Sequence, residues 1–171
     1  MIEVKVGAPA AAEAGAVVRP VAADFSPVTP AMRRFDEAAG PAVAAQCARL
    51  GEIPLGSAVI TAAGELPADF IVHVAVRSSL ENPTVGVVRR GLLNALRRLE
   101  DWDIDVVALV PLGTGAGNLD AEEAARLVRV PLLFIVSEGD VHAVAYTTTS
   151  CWTATTCRVT TPRWLAALTE L

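Results

Sequence analysis

Lysine occurs once in this chain of 171 residues, at Lys5, and the other thirteen of its fourteen basic side chains are arginine. The formal charge is −5, and no Lys/Arg block stands anywhere along the chain. That absence argues against broad nucleic-acid binding, which needs a concentrated positive surface. Arginine accompanied by alanine throughout has the look of a GC-rich coding sequence, so arginine content alone is no sign of phosphate recognition. Cysteine is scarce: Cys47, Cys151 and Cys157 form neither an even disulfide set nor a zinc arrangement. Histidine is scarcer. His142 has no Cys or carboxylate at ligand spacing, and no metal or cofactor is expected. No apolar run approaches the ~18 residues that cross a membrane. The opening MIEVKVG lacks a basic region followed by a long apolar core, so no leader is expected and the expected location is cytoplasmic.

What the chain has is apolar residues, 53% against 19% charged. That balance suits a packed α/β protein, and 1–171 is expected to form one domain. IEVKV (2–6) and AVVRPVA (16–22) read as strands, with Pro20 suggesting irregularity or an edge position towards the end of the second. Helical patterns follow at 31–39 and 42–50, and Pro41 suits the first turn of the latter. Val43, Cys47 and Leu50 give it an apolar face, which makes Cys47 a core residue. GSAVITA (56–62) and FIVHVAV (70–76) are strands joined by a turn at GELP. Residues 83–100 carry an apolar stripe of Val85, Val88, Leu92, Leu96 and Leu99, with Arg90, Arg97 and Arg98 reaching water. DVVALVP (105–111) is a continuous apolar run of the kind buried on both faces. Strands alternating with helices predict a layered domain with a largely parallel sheet. After about 129, VPLLFIV and VHAVAYT read as strands, and TTTSCWTATTCRVTT (147–161) has no clear pattern.

The stretch PLGTGAGN (111–118) follows an apolar strand and precedes a helical segment. Glycine tolerates positive φ and lets a ligand approach the main chain, so successive amides can hold an anion there. The alternative is a tight turn whose glycines serve only the backbone path. No Gly-Lys-Ser/Thr follows, so a P-loop is excluded. Asp120 and Glu123 have the spacing of a capping pair, which would occupy the helix amides. A phosphate is therefore expected on the amides of about 113–117, with Thr114 as a hydroxyl donor and Asn118 supporting the turn.

From about 15 to 128 the order of segments resembles the macro domain, an ADP-ribose-binding α/β module. The marks are AAGP (38–41), PLGSAVIT (54–61), LP (66–67) and IVHV (71–74), followed by PLGTGAGNLDAEEAARL (111–127). The resemblance implies a three-layer α-β-α domain with a mixed, largely parallel sheet. It implies ADP-ribose or a related nucleotide diphosphate as ligand, held by Leu112, Gly113, Thr114, Gly115, Ala116, Gly117 and Asn118. Hydrolysis of O-acetyl-ADP-ribose or of ADP-ribosylated protein is the family's catalytic option. Here, however, Arg19 and Ala22 stand near the family's two Asn positions, and no glycine occurs between Gly15 and Gly40. Ala8 replaces the Asp that contacts adenine in the family. These departures favour binding over catalysis, and a non-catalytic sensor with a degenerate pocket is the further alternative. Residues 129–171 depart from the family as a divergent C-terminal segment, read either as a lid or as a shifted reading frame.

Other candidates are weaker. Asp24 and Ser26 lie in the replacement loop, where a surface turn competes with a ligand contact. Asp36 is expected to face solvent. His73, inside an apolar strand, is read as a satisfied core histidine rather than a catalytic one. A triad of Ser57, His73 and Asp105 has no nucleophile-elbow sequence behind it. For Phe134 and Tyr146, core packing competes with adenine stacking. Trp102, Trp152 and Trp164 are scattered.

Overall fold

The computed structural model describes residues 2–114, 119 and 142–147. The strands β1 (Ile2–Val6), β2 (Ala16–Ala22), β3 (Ala58–Ala62), β4 (Phe70–Arg77), β5 (Val106–Leu109) and β6 (His142–Thr147) form one sheet in the order β1-β6-β5-β2-β4-β3. Every neighbouring pair is parallel except β3 with β4. The helices are α1 (Pro30–Ala39), α2 (Pro41–Leu50) and α3 (Val85–Asp101), and a short 3-10 turn spans Pro9–Ala11. This is the expected mixed, largely parallel α/β architecture. The helix expected from about 120, the Asp120–Glu123 cap, Phe134 and the Thr-rich stretch lie outside the described residues.

Helix starts follow from local chemistry. The Thr29 hydroxyl accepts from the Met32 amide at 3.2 Å, and the Thr84 hydroxyl accepts from the Val87 amide at 3.3 Å. Each satisfies a first-turn N–H that has no partner inside the helix. Pro30 and Pro41 occupy first-turn positions, where a missing N–H removes no helical bond.

Strand alternation sets the layers. The His73 ring lies against Cys47 of α2, whereas a Cβ added at Gly91 of α3 would meet Val74. Successive strand residues face opposite sides, so α1 and α2 cover one face and α3 the other. Ile71, Val72, Val17, Val18, Leu92 and Leu109 are fully buried between these layers.

Pro20 meets its expectation in one of two forms: the end of β2 is irregular, its register with β4 shifting between Val21 and Ala22. β2 lies inside the sheet between β5 and β4, not at an edge. The Gly15 carbonyl accepts from Phe70 and the Ala23 amide donates to Arg77, so odd residues address β4. The Val18 carbonyl accepts from Val110, so even residues address the β5 side. Pairing with β5 spans only Ala16–Val18. The missing N–H of Pro20 therefore falls where the ladder has already ended, and an interior strand tolerates it.

Candidate functional site

Because β1, β2, β4 and β5 run parallel, the segments that follow them share one edge of the sheet. That edge carries residues 7–11, 23–29, 78–84 and 110–114. Open α/β sheets bind ligands there. The glycine-rich stretch is rooted in the core: the Val110 amide donates to Val18 at 2.9 Å, and Leu112 is fully buried. Gly113 has φ +85, and an added Cβ would lie 2.5 Å from Leu119 Cδ1 and 3.0 Å from Val88 Cγ2. A side chain there is excluded by both conformation and space. Thr114 Oγ1 lies a long 3.5 Å from the Pro111 carbonyl. Gly115, Ala116, Gly117 and Asn118 lie outside the described residues.

Asp24 and Ser26 form a turn after β2. The Ser26 amide and hydroxyl both donate to Asp24 Oδ1, at 3.0 and 2.6 Å. These two bonds hold the Asp24 carboxyl below its ordinary range, so it is charged at neutral pH. Across the turn, the Ala22 amide donates to Ser26 and the Phe25 amide to Ala22, and Val21 bridges Pro27. Phe25 sits at φ 65 with its ring edge-on to His73 at 5.5 Å. Packing against the core holds it in a region non-glycine residues rarely adopt.

Beneath the turn runs a buried polar chain. Arg19, 1% exposed, pairs with Asp36 of α1 and stands over the Phe35 ring at 5.1 Å. Its Nε–H donates to His73 Nδ1 at 3.2 Å. An arginine cannot accept, so Nδ1 must be unprotonated, and the ring proton sits on Nε2. Nε2 then donates to Thr61 Oγ1 at 2.8 Å, with Cys47 Sγ at 4.0 Å. Asp36, expected to face solvent, is instead two-thirds buried because Arg19 requires a partner for its charge. Burial raises the Asp36 carboxyl and lowers the Arg19 guanidinium, each against the attraction of the other. Sequence reading missed this pair. Its signal was an arginine inside the otherwise apolar AVVRPVA strand, which demands a buried counter-charge.

His73 is thus the satisfied core histidine expected, and Cys47 the expected core residue at 7% exposure. The Ser57–His73–Asp105 triad does not assemble. Ser57 Oγ donates to the Pro54 carbonyl at 2.6 Å, and both His73 nitrogens are already engaged. A cleft of about 300 Å³ opens beside the chain, lined by Asp24, Ser26, Asp36, Gly40 and Cys47 among others. Burial pushes the Cys47 thiol up, which keeps it protonated and a poor nucleophile.

Burial, and then the Arg19 charge, hold the His73 imidazole well below its ordinary value. The unfolded chain, with an ordinary histidine near 6.5, binds this proton first as pH falls. Stability from neutral His73 is therefore full above about pH 6.5 and declines below it, by up to roughly 1.4 kcal/mol per pH unit. Asp36, with its raised value, acts in the opposite sense nearer the carboxylate range. Urea midpoints at pH 7.5, 6.5 and 5.5 are expected to fall in that order, and the fall is expected to flatten in His73→Gln. An equal slope in the variant would assign the effect elsewhere.

These features define an α/β domain with a mixed, largely parallel sheet whose carboxyl edge carries the start of the glycine-rich stretch. A family model described as Macro domain matches residues 31–128, more than half of the chain, and the chain belongs to that family. An uncharacterized protein of Mycobacterium tuberculosis is 35% identical over 92 residues, 53% of this chain but only 25% of that protein. The chain thus spans about a quarter of the length of this relative. An O-acetyl-ADP-ribose deacetylase of Klebsiella pneumoniae is 30% identical over 116 residues, covering 64% of this chain and 66% of the relative. The solved Oceanobacillus iheyensis macrodomain with ADP shares the fold at TM-score 0.72 and 20% identity, over 85% of this chain and 82% of that one. Among the described residues no helix is long and apolar enough to cross a membrane.

Proposed function

We propose that this chain binds ADP-ribose or a related nucleotide diphosphate on the backbone amides of 112–118, at the carboxyl edge of its sheet, and that residues 1–171 act as one domain. The observation that carries the reading is the placement of that loop. It leaves β5 at the ligand edge, is anchored by buried Leu112, and turns at Gly113 with φ +85. Backbone amides presented in such a turn bind anions without a basic side chain. The ADP bound to the Oceanobacillus macrodomain supports the ligand class.

A hydrolytic reading, as O-acetyl-ADP-ribose deacetylase or mono-ADP-ribosyl hydrolase, is favoured by the name of the Klebsiella relative. Against it, hydrolysis needs a water held by a base at the reacting centre. In the described part His73 is locked between Arg19 and Thr61, and Asp36 is held by Arg19. Binding without turnover, as a sensor or interaction module, is therefore the preferred form of the proposal.

Calorimetry with ADP-ribose, ADP and inorganic phosphate tests it, together with an assay for acetate release from O-acetyl-ADP-ribose. Binding without acetate release is the expected result, and no binding at millimolar concentration defeats the proposal. Gly115→Val is expected to weaken binding at least ~10-fold, about 1.4 kcal/mol, with the melting temperature unchanged, because a β-branched side chain obstructs the cradle. Unchanged affinity in the folded variant would remove the loop from the site.

A further inference from the structure

Helix α3 turns its apolar stripe inwards and leaves an outer face whose charges are sorted along its length. Val88, Leu92, Ala95, Leu96 and Leu99 are buried against the sheet. Helical spacing places Arg89, Arg90, Leu93, Arg97, Glu100 and Asp101 together on the opposite face, and all six are exposed. Leu93, near the middle of that face, is 41% exposed.

The charge order is the reverse of what a lone helix favours. Helix N-termini attract carboxylates, and C-termini attract cations. The first turn of α3 has no acidic residue, its first charges are Arg89 and Arg90, and its last turn ends on Glu100 and Asp101. Asp103 and Asp105 follow, and both are exposed. Arg98 offsets this only in part, through a loose 4.0 Å pair with Asp101. Among the described residues, Arg89, Arg97 and Glu100 make no ion pair.

A second copy laid antiparallel on this face removes the mismatch. Arg89 then meets Asp101 of the second copy, Arg90 meets Glu100, and Leu93 lies along the aliphatic stem of Arg97. The three pairings share one midpoint, at the level of Ala95, and each occurs twice about a twofold axis. Arg90 also bonds the Leu55 carbonyl, through one of its five N–H donors. The helix dipoles oppose each other, and each carboxylate end lies beside the arginines of the other helix. An extended polyanion fits this face less well, since Glu100, Asp101, Asp103 and Asp105 stand at its end and repel it.

We propose that the outer face of α3 is an isologous interface between two copies of this chain, held by Arg89–Asp101 and Arg90–Glu100 pairs across antiparallel helices. It uses none of the residues of the glycine-rich loop, so it stands or falls apart from the ligand reading. A helix of 17 residues is about 25 Å long. One such pair covers less than the ~800 Å² per partner of a stable complex, so the dimer is weak, with Kd on the order of 100 µM.

Sedimentation of the full chain up to about 1 mM tests the proposal. A monomer–dimer equilibrium is expected at about 50 mM salt and is expected to weaken severalfold at about 500 mM. The net charge of −5 repels a second copy, so salt would strengthen a merely apolar association. Arg89→Glu alone and Asp101→Arg alone are each expected to weaken dimerisation at least ~10-fold, because each sets like charges opposite. Both side chains are exposed, so the melting temperature is expected to stay the same. An equimolar mixture of the two variants is expected to recover the original affinity, since the exchanged charges then pair across the interface. A chain that stays monomeric at about 1 mM in low salt overturns the proposal, as does dimerisation that neither variant changes. Weakening by both variants without recovery in the mixture overturns it too, because the antiparallel pairing is then absent.

Discussion

Asp36→Ala is expected to destabilise the folded chain by about 3 kcal/mol, the lower end of the cost of breaking a buried ion pair, because the carboxylate keeps some solvent contact. Arg19 is 1% exposed and its guanidinium keeps its charge under all ordinary conditions. Without Asp36 that charge retains, among the described residues, the hydrogen bond to neutral His73 and the face of Phe35. Neither supplies a negative charge. Asp36→Asn keeps an acceptor and is expected to cost less, roughly 1–2 kcal/mol. Urea unfolding of Asp36→Ala, Arg19→Met and the double variant measures the pair. A coupling of about 2 kcal/mol is expected, since the double variant leaves no orphaned charge. Additive losses would mean that the two side chains act independently.

Gly64→Ala is expected to cost roughly 2–5 kcal/mol, from two sources. Gly64 has φ +67, where an L side chain is disfavoured by about 1–2 kcal/mol. An added Cβ would also lie 2.2 Å from the Ala39 carbonyl oxygen and 2.8 Å from Val43 Cγ2. The first of these is backbone, so relief requires moving the end of α1 or the β3–β4 turn, an overpacking cost of about 1–3 kcal/mol. Gly51→Ala separates the two sources. Gly51 has φ +65 with nothing within 4 Å of an added Cβ, so only the conformational cost is expected there, about 1–2 kcal/mol. Equal losses in the two variants would show that the close approach contributes nothing.

The Gly64 contact also explains why separate sequence marks belong together. The Glu65 amide donates to the Ala39 carbonyl at 3.1 Å, so the turn before LP is fastened to the helix end that carries AAGP. In the sequence these are two short runs more than twenty residues apart. The fold makes them one junction, which is why their ordered combination was more informative than either alone.

Period and punctuation made the described α1 to β5 readable. Apolar runs gave β2, β4 and β5, the stripe from Val88 to Leu99 gave α3, and Gly40-Pro41 separated α1 from α2. Bounds shifted by a residue or two, as at α3, whose cap is Thr84 and whose end is Asp101. The candidate site was only partly legible. Leu112 and Gly113 could be placed at the ligand edge from their strand and loop context. Asp36 could not be assigned correctly, because a lone carboxylate on a helix is ordinarily solvated and its partner is seventeen residues away on a strand.

The sequence by itself determined the alternation of strands and helices, the resemblance to the macro domain, and the glycine-rich loop after β5, because period and backbone freedom are local properties. Tertiary structure alone decided two things: that Arg19 is neutralised by Asp36, and that His73 is held in one tautomer between Arg19 and Thr61. Each depends on which side chains and amides meet across the sheet and helices. In a buried site of low polarity, that meeting determines whether a charge or a donor remains available to a ligand.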